Sequence, residues 1–330
     1  MTTKESVLSL LQTHGDYLSG EEMSRALGLS RMAVNKAIHA LQAEGCVISA
    51  VPHRGYRLDS LPDRMTQTSV LAALGNHPWQ SLVTVLDTVD STNTLAKRMA
   101  ADGAPEGTVI ISNEQTAGRG RRGRQFSSPA NMGIYLSVVL RPHCPPEQLL
   151  HMTAVVAEAA CQAVEDAVGL RPQIKWTNDL VYGTQKLSGT LTELTLEAES
   201  GLVSSLIAGI GINCGQRPED FPPELREIAT SLHQLTGEKI DRSRLCACLI
   251  CRLYEVSKTW KSQKADWLKR YAADCMTIGK DISVVRGDTV RRAHADGIDD
   301  NAALLVTYDD GKTEAVSSGE VSVRGMYGYL

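Results

Sequence analysis

The stretch Gly118-Arg119-Gly120-Arg121-Arg122-Gly123-Arg124 puts four arginines and three glycines into seven positions, a density that fits either of two quite different phosphate-binding folds. Read as GxGxxG through Gly118, Gly120 and Gly123, it would be the phosphate turn of a doubly wound dinucleotide-binding domain. Such a turn opens an apolar helix, with an acidic residue about 20 positions further on. Here Gln125-Phe126-Ser127-Ser128-Pro129 follows, and no carboxylate appears until Glu147. That context fails. A basic run can also be a solvated face or a nucleic-acid patch. Glycine, however, lets the backbone approach a ligand closely, and arginine carries a permanent charge on a planar fork of donors. A loop built of both is suited to closing on a phosphate or carboxylate.

The surrounding chain is ordinary in bulk. It has 330 residues, 42% hydrophobic and 22% charged, with a formal net charge of −4. That length allows two or three domains. The charge gives no overall bias toward nucleic acid or membrane, so any polyanion site must be local. The N-terminal MTTKESVLSLLQTHGD does not read as a signal peptide. No apolar run reaches the roughly 20 residues that a membrane helix requires. The eight cysteines lack a disulfide-framework spacing. Cys246, Cys248 and Cys251 cluster on a helical apolar pattern and read as small hydrophobes rather than zinc ligands. No residue is assigned to a metal. A reduced, cytoplasmic protein without a membrane partner is expected.

Upstream of the arginine loop, residues 1–60 read as three helices and a hairpin. Val7, Leu8 and Leu11 give the first helix its stripe. Ser19 and Glu22 form a capping box for the second, and Ser30 caps a third with Val34, Ile38 and Leu41 inward. Arg31, Ala33, Asn35, Lys36 and His39 then face outward. Two short helices across Gly28-Leu29, the second with a small and basic outer face, are the signature of a helix-turn-helix. Cys46–Val51 and Tyr56–Leu58 bracket Pro52-His53-Arg54-Gly55 as a wing. The candidate DNA contacts are Ser30, Arg31, Asn35, Lys36 and Arg54. From Arg25 to Leu58 five basic residues face one acidic residue, but over residues 1–60 the balance is six against six. A single module should therefore bind DNA weakly. A winged helix that serves only protein contacts is the alternative.

Residues 61–80 read as a linker and lead-in helix at Val70, Leu71 and Leu74. Residues 81–273 alternate strand and helix signals, as an α/β or α+β domain does. Asp90-Ser91-Thr92-Asn93 is rich in capping residues at a helix start, where backbone N–H groups can hold a polar ligand head. Thr108–Asn113 is a strand feeding Gln115 and the arginine loop. Ile174-Lys175-Trp176 runs into Thr177-Asn178-Asp179. Lys186 stands at the base of a hairpin before Leu187-Ser188-Gly189. An apolar strand ends in Gly209-Ile210-Gly211-Ile212-Asn213. Five short strands with turn residues between them, from Asp281 to Arg324, suggest a small SH3-type barrel at residues 274–330.

Several of these blocks, in this order, resemble the family of bifunctional biotin–protein ligases and biotin-operon repressors: DSTN at 90–93, Gln115 with GRGRRGR, KWTND at 175–179, KLSG at 186–189 and GIGIN at 209–213. Ala229-Thr230-Ser231-Leu232, Gly319-Glu320-Val321-Ser322-Val323-Arg324 and the winged helix extend the resemblance over nearly the whole chain. The resemblance implies an α+β multidomain protein: a winged helix-turn-helix, a central mixed α/β ligase domain of class II synthetase-like type at 81–273, and an SH3-like C-terminal barrel. It implies that biotin and ATP, with Mg²⁺, give biotinyl-5′-adenylate, and that the acyl group passes to a lysine of biotin carboxyl carrier protein. Biotin would be held by Ser91, Thr92, Asn93, Gln115, Arg119, Gly120, Arg121 and Lys186, with Lys186 and Arg121 catalytic. Arg122, Arg124, Lys175, Asn178, Asp179, Asn213 and Arg324 would serve ATP. The adenylate-bound protein would form a homodimer that spans operator DNA.

The physical chemistry agrees with that implication. A carboxylate must attack a phosphorus that already carries negative charge, and fixed positive donors are what such a step requires. Two positions depart from the family pattern: Thr177 stands for proline in KWPND, and Phe126 for a frequent tryptophan. A lipoate–protein ligase would carry a His-Asp pair after its glycine-rich signature, which is absent here. A ligand-sensing repressor with an inactive enzyme domain is the other rival.

Overall fold

The computed structural model describes residues 2–61 and 64–317, and the backbone of 322–325. The chain opens with α1 (Thr3–His14), α2 (Gly20–Leu27), α3 (Arg31–Ala43) and an antiparallel hairpin of β1 (Val47–Val51) and β2 (Gly55–Ser60). The capping residues set these starts. Ser19 and Glu22 form a reciprocal capping box, and Ser30 Oγ accepts from the Ala33 N–H at 3.1 Å. Val7, Leu8, Leu11, Met23, Val34, Ile38 and Leu41 form one buried cluster beneath the wing.

Helix α4 (Gln67–Leu74) follows. It is buried along most of its length rather than lying on the surface as a tether. Ala72 packs into the N-terminal cluster, while Val70, Leu71 and Leu74 join the large central core.

The central part runs β3 (Val83–Val89), α5 (Thr92–Ala101), β4 (Val109–Gln115), β5 (Gly133–Leu140), α6 (Met152–Val168), β6 (Gln173–Lys175), β7 (Asp179–Tyr182), β8 (Gln185–Leu196) and β9 (Val203–Asn213). Helices α7 (Leu232–Thr236), α8 (Arg242–Thr259) and α9 (Lys264–Asp274) complete it. Its seven strands form one sheet in the order β3-β4-β5-β9-β8-β7-β6. Only β3 and β4 are parallel, which α5 makes possible as the crossover. Alternate residues serve opposite faces. Ile110, Val139 and Ile207 pack on Ala96 and Ala100 of α5, whereas Val109, Ile111, Leu136 and Val138 join the core with α6 and α8. Strand β5, inside the sheet between β4 and β9, is buried at every position, as a strand covered on both faces must be.

The C-terminal strands are β10 (Asp281–Arg286), β11 (Thr289–Ile298), β12 (Leu304–Tyr308), β13 (Thr313–Val316) and β14 (Ser322–Gly325). They form an antiparallel sheet in the order β13-β12-β11-β10-β14, with β13 and β14 as edges that do not pair among the described residues. The last of the five expected strands is described over Ser322–Gly325; Gly319, Glu320 and Val321 lie outside the described residues. The sheet is docked behind the KWTND turn. Trp176 Nε1 donates to the Ala302 carbonyl at 2.9 Å, and the Trp176 N–H donates to Thr277 Oγ1 at 3.0 Å. Tyr271 of α9 donates its hydroxyl to the Thr177 carbonyl at 3.0 Å.

Candidate functional site: a cationic cavity and a winged helix

The ends of β4, β6 and β8, the middle of β9, the start of α5 and the arginine loop enclose one cavity of about 190 Å³. It is lined by Thr92, Gln115, Arg119, Gly120, Arg121, Arg122, Arg124, Lys175, Asn178, Asp179 and Lys186 of the expected set, together with Gln125, Phe126, Trp176, Gly189, Thr190, Leu191, Gly209, Ile210 and Gly211. Five separate sequence blocks thus meet in one place.

Several of the polar groups in the cavity are held by protein partners. Gln115 Oε1 accepts from the Thr92 N–H at 2.9 Å and from Thr92 Oγ1 at 3.1 Å, and its Nε2 donates to Ser128 Oγ at 2.8 Å. The amide is thereby fixed at the mouth of α5. Lys186 Nζ donates to Asp179 Oδ1 at 2.7 Å, a half-buried pair in which the carboxylate keeps the ammonium inside the cavity. Arg121 Nη1 donates to Asn178 Oδ1 at 2.8 Å. Burial lowers the Arg121 pKa from its usual value, and Asp179 opposes that shift. The guanidinium still starts so far above neutrality that it remains charged, and desolvation strengthens its attraction for an anion.

The loop geometry explains its glycines. The Gly120 N–H donates to the Arg124 carbonyl at 2.7 Å, and Gly123 turns with φ 72°. Arg122 shares the left-handed region at φ 57°, and its side chain is exposed. A Cβ on Gly118 would fall 2.4 Å from the Phe126 carbonyl oxygen, so the loop base admits no side chain there. Gly209 and Gly211 keep the floor open in the same way, below Asn93 and the Phe126 ring.

Three expected ligand residues stand behind the wall instead of lining it. Ser91 caps α5. Asn93 Oδ1 accepts from Ser137 Oγ at 2.6 Å, and its Nδ2 donates to Glu193 Oε2 at 3.0 Å. Asn213 Nδ2 donates to the Thr230 carbonyl at 2.9 Å, and its Oδ1 accepts from Gln216 Nε2. All three are buried and hydrogen-bonded to protein partners. Arg324 lies in β14, opposite Ser283, and its side chain is outside the described residues. Glu193, which grips Arg119, was not among the expected residues; its partner is 74 positions away and leaves no local sequence signal.

On the winged helix, a cleft separates α3 from the hairpin. Ser30 is spent on capping. Arg31 pairs with Glu21, Asn35 Nδ2 donates to the Tyr56 hydroxyl at 3.2 Å, and Lys36 is exposed. Arg54 and Arg57 both lie against the Tyr17 ring, 4.5 and 4.7 Å from its centroid. Met32, at 81% exposure in the first turn of α3, is the large apolar group that the sequence reading left out. The three clustered cysteines of α8 grade from buried Cys246, packed on Met65, to exposed Cys251.

A cationic α/β cavity joined to a winged helix defines the class: an anion-binding domain fused to a DNA-binding module. Comparison narrows it. Residues 85–213 match the Biotin/lipoate A/B protein ligase family, 3–57 an HTH domain, and 277–324 the Biotin protein ligase C terminal domain. The bifunctional ligase/repressor BirA of Bacillus subtilis is 35% identical over 94% of this chain and 95% of its own length. That of Escherichia coli is 31% identical over 96% of each. The biotin protein ligase of Aquifex aeolicus, solved with biotin and ATP, aligns with TM-score 0.63 at 28% identity, over 74% of this chain and 98% of that one. The chain belongs to the family of bifunctional biotin–protein ligases and repressors.

Proposed function

We propose that this protein forms biotinyl-5′-adenylate from biotin and ATP, passes biotin to a lysine of biotin carboxyl carrier protein, and represses biotin-synthesis genes while the adenylate is bound. The observation that carries the reading is the meeting of Arg119, Arg121, Arg122, Arg124, Lys175 and Lys186 around one cavity.

In the first step the biotin carboxylate attacks the α-phosphorus, a C–O–P bond forms, and the Pα–O bond to pyrophosphate breaks. Lys186 and Arg121 neutralise the two anions as they approach and the charge that grows on the departing pyrophosphate. Thr92, Gln115, Gly120 and the Arg119 backbone hold the bicyclic ring, with Ser91 and Asn93 supporting that wall from behind. Lys175, Asn178, Asp179, Arg122 and Arg124 serve the nucleotide, with Asn213 supporting its wall and Arg324 reaching it from the C-terminal sheet. Mg²⁺ enters with ATP as part of the substrate, and Asp179 is a carboxylate within the cavity that can face it. In the second step the carrier lysine's amine attacks the acyl carbon, AMP leaves and the amine loses a proton. A glycine-jointed loop that closes over the adenylate excludes water between the steps.

The domain reading is 1–60 for DNA, 61–80 as the connection, 81–273 for catalysis in a class II synthetase-like fold, and 274–330 as an SH3-like barrel. Adenylate-bound homodimers place two winged helices on operator DNA through Ser30, Arg31, Asn35, Lys36 and Arg54. We place the protein in the cytoplasm; no helix among the described residues is long and apolar enough to cross a membrane.

The test is biotin-dependent exchange of labelled pyrophosphate into ATP, followed by mass transfer to one carrier lysine. Lys186→Ala and Arg121→Ala should each lower kcat/KM by about 100-fold, the scale of losing one transition-state donor. Undiminished turnover in both would remove these assignments.

A further inference from the structure

The arginine loop is tied to the sheet at a point that the chemistry above does not use. Arg119 Nη1 donates to Glu193 Oε2 at 3.1 Å, and Arg119 Nη2 lies 3.1 Å from Glu193 Oε1. This is a two-pronged guanidinium–carboxylate pair, the geometry that fixes orientation as well as distance. Its acidic half is rigidly mounted. Glu193 lies on β8 opposite Ile207 of β9, and is only 17% exposed. Its Oε2 also accepts from Asn93 Nδ2, and Asn93 is in turn locked by Ser137 and by the Leu191 carbonyl at 3.2 Å. The basic half sits on a short loop outside the sheet. Arg119 opens a segment that turns through Arg122 and Gly123 in the left-handed region and is closed on itself by two backbone hydrogen bonds, Gly120 N–H to the Arg124 carbonyl and Arg124 N–H to the Arg121 carbonyl.

Charge supplies the reason for a tie at this point. Arg119, Arg121, Arg122, Arg124, Lys175 and Lys186 line the cavity with one carboxylate, Asp179. With no anion bound, these cations repel one another, and the loop, which lies outside the sheet's hydrogen-bond ladder, is the part with least to hold it. Glu193 offsets that repulsion at the loop's first arginine, from outside the cavity, without occupying the space a ligand needs. Asn178 holds Arg121 at the loop's middle. We propose that Glu193 is a positioning residue: its carboxylate latches Arg119 and so keeps the arginine loop seated over the cavity. The role in ligand retention rests on the functional reading above, whereas the latch itself does not.

The loop is rich in trypsin sites, which gives a test free of any ligand. Full-length Glu193→Ala should be cut by trypsin within residues 119–124 roughly fivefold faster than the parent, as expected when a local closing interaction is lost and opening becomes more frequent. Glu193→Gln, which keeps an acceptor for Asn93 but loses the charge, should also cut faster. Arg119→Ala, still cleavable at Arg121, Arg122 and Arg124, should match Glu193→Ala, and the double variant should be no faster than either. A parental cutting rate in Glu193→Ala would overturn the latch. So would multiplying effects in the double variant, or acceleration spread along the chain with a fallen melting temperature. In the second arm, protein loaded with biotin and Mg·ATP should lose its biotinyl-adenylate about fivefold faster in Glu193→Ala, with biotin KM raised more than kcat is lowered. An unchanged adenylate lifetime would overturn the role in retention. If the parent makes no adenylate, the functional reading fails, while the proteolysis still decides the latch.

Discussion

A Cβ on Gly209 would sit 1.9 Å from Asn93 Oδ1, and Asn93 has nowhere to go. Ser137 holds that oxygen, while Glu193 and Leu191 hold the other end of the amide. Gly209→Ala should therefore destabilise the protein by about 1–3 kcal/mol, the scale of overpacking a closed site, and should raise biotin KM. Urea unfolding with parental stability would contradict this. Glu158 gives a residue-scale prediction of a different kind. It is fully buried on α6, where Oε1 accepts from Gln162 Nε2 at 2.8 Å and Arg171 Nη2 at 3.1 Å. Burial pushes its carboxyl up to about 7 from an ordinary 4.5, and Asp274 beside it adds to the rise while Gln162 and Arg171 oppose it. The folded state then keeps a proton that the unfolded chain gives up. The stabilising contribution is complete below about pH 4.5 and is lost as pH rises through about 7. Relative to Glu158→Gln, the parent's melting temperature should fall across that window; parallel curves would refute it. Cys161 and Asp274 lie within reach of Glu158, but the cation already among these groups is the Arg171 guanidinium, bonded to both carboxylates. At this scale the sequence shows residues whose chemistry is local. Lys186 and Arg121 stand in distinctive blocks, whereas Glu193 is one of many surface-style glutamates until β8 and the loop are brought together.

Elements were legible where their signals are local. Ser19, Glu22 and Ser30 mark the starts of α2 and α3 because capping is a matter of three or four residues. Helix α4 shows the limit. Residues 61–80 read as a linker around a short helix, but burial on two sides depends on α1 and α8, which come from distant parts of the chain. The mixed sheet was legible only as alternating strands and helices, since pairing β5 with β9 spans some seventy residues. Helix α3 also presents more than its basic residues. Arg31 is occupied by Glu21 and Asn35 by Tyr56, while Met32 projects freely from the first turn, the part of a recognition helix that meets base edges. A long apolar side chain there is matched to a thymine methyl group. Met32→Ala should weaken operator binding by about 1 kcal/mol, near fivefold. Replacing thymine by uracil at matched positions of the two half-sites should reproduce that loss at one such pair in the parent and add nothing in Met32→Ala. Equal binding by parent and variant would discard the contact.

At the scale of the whole molecule, the winged helix is too poorly charged to work alone. Arg25 and Arg31 share Glu21, and Arg57 is paired with Asp59. With Lys36 and Arg54 added, each module carries about three uncompensated cations toward DNA, enough for a salt slope near −3. Two modules held together would approach −5. Association thus decides occupancy more than any single contact, and α4 bears on how an assembled pair is presented, since it packs against both the N-terminal cluster and the catalytic core. A ligand that orders the arginine loop and brings two chains together would then act on DNA with no change in the recognition helix itself. Adding biotin with Mg·ATP should raise operator affinity, make binding depend on the square of protein concentration, and steepen the slope of log K against log salt from about −3 to about −5. A gel-shift titration across salt and protein concentration reads all three. Binding that is equally tight and equally salt-sensitive with and without both ligands would separate the repressor activity from the cavity.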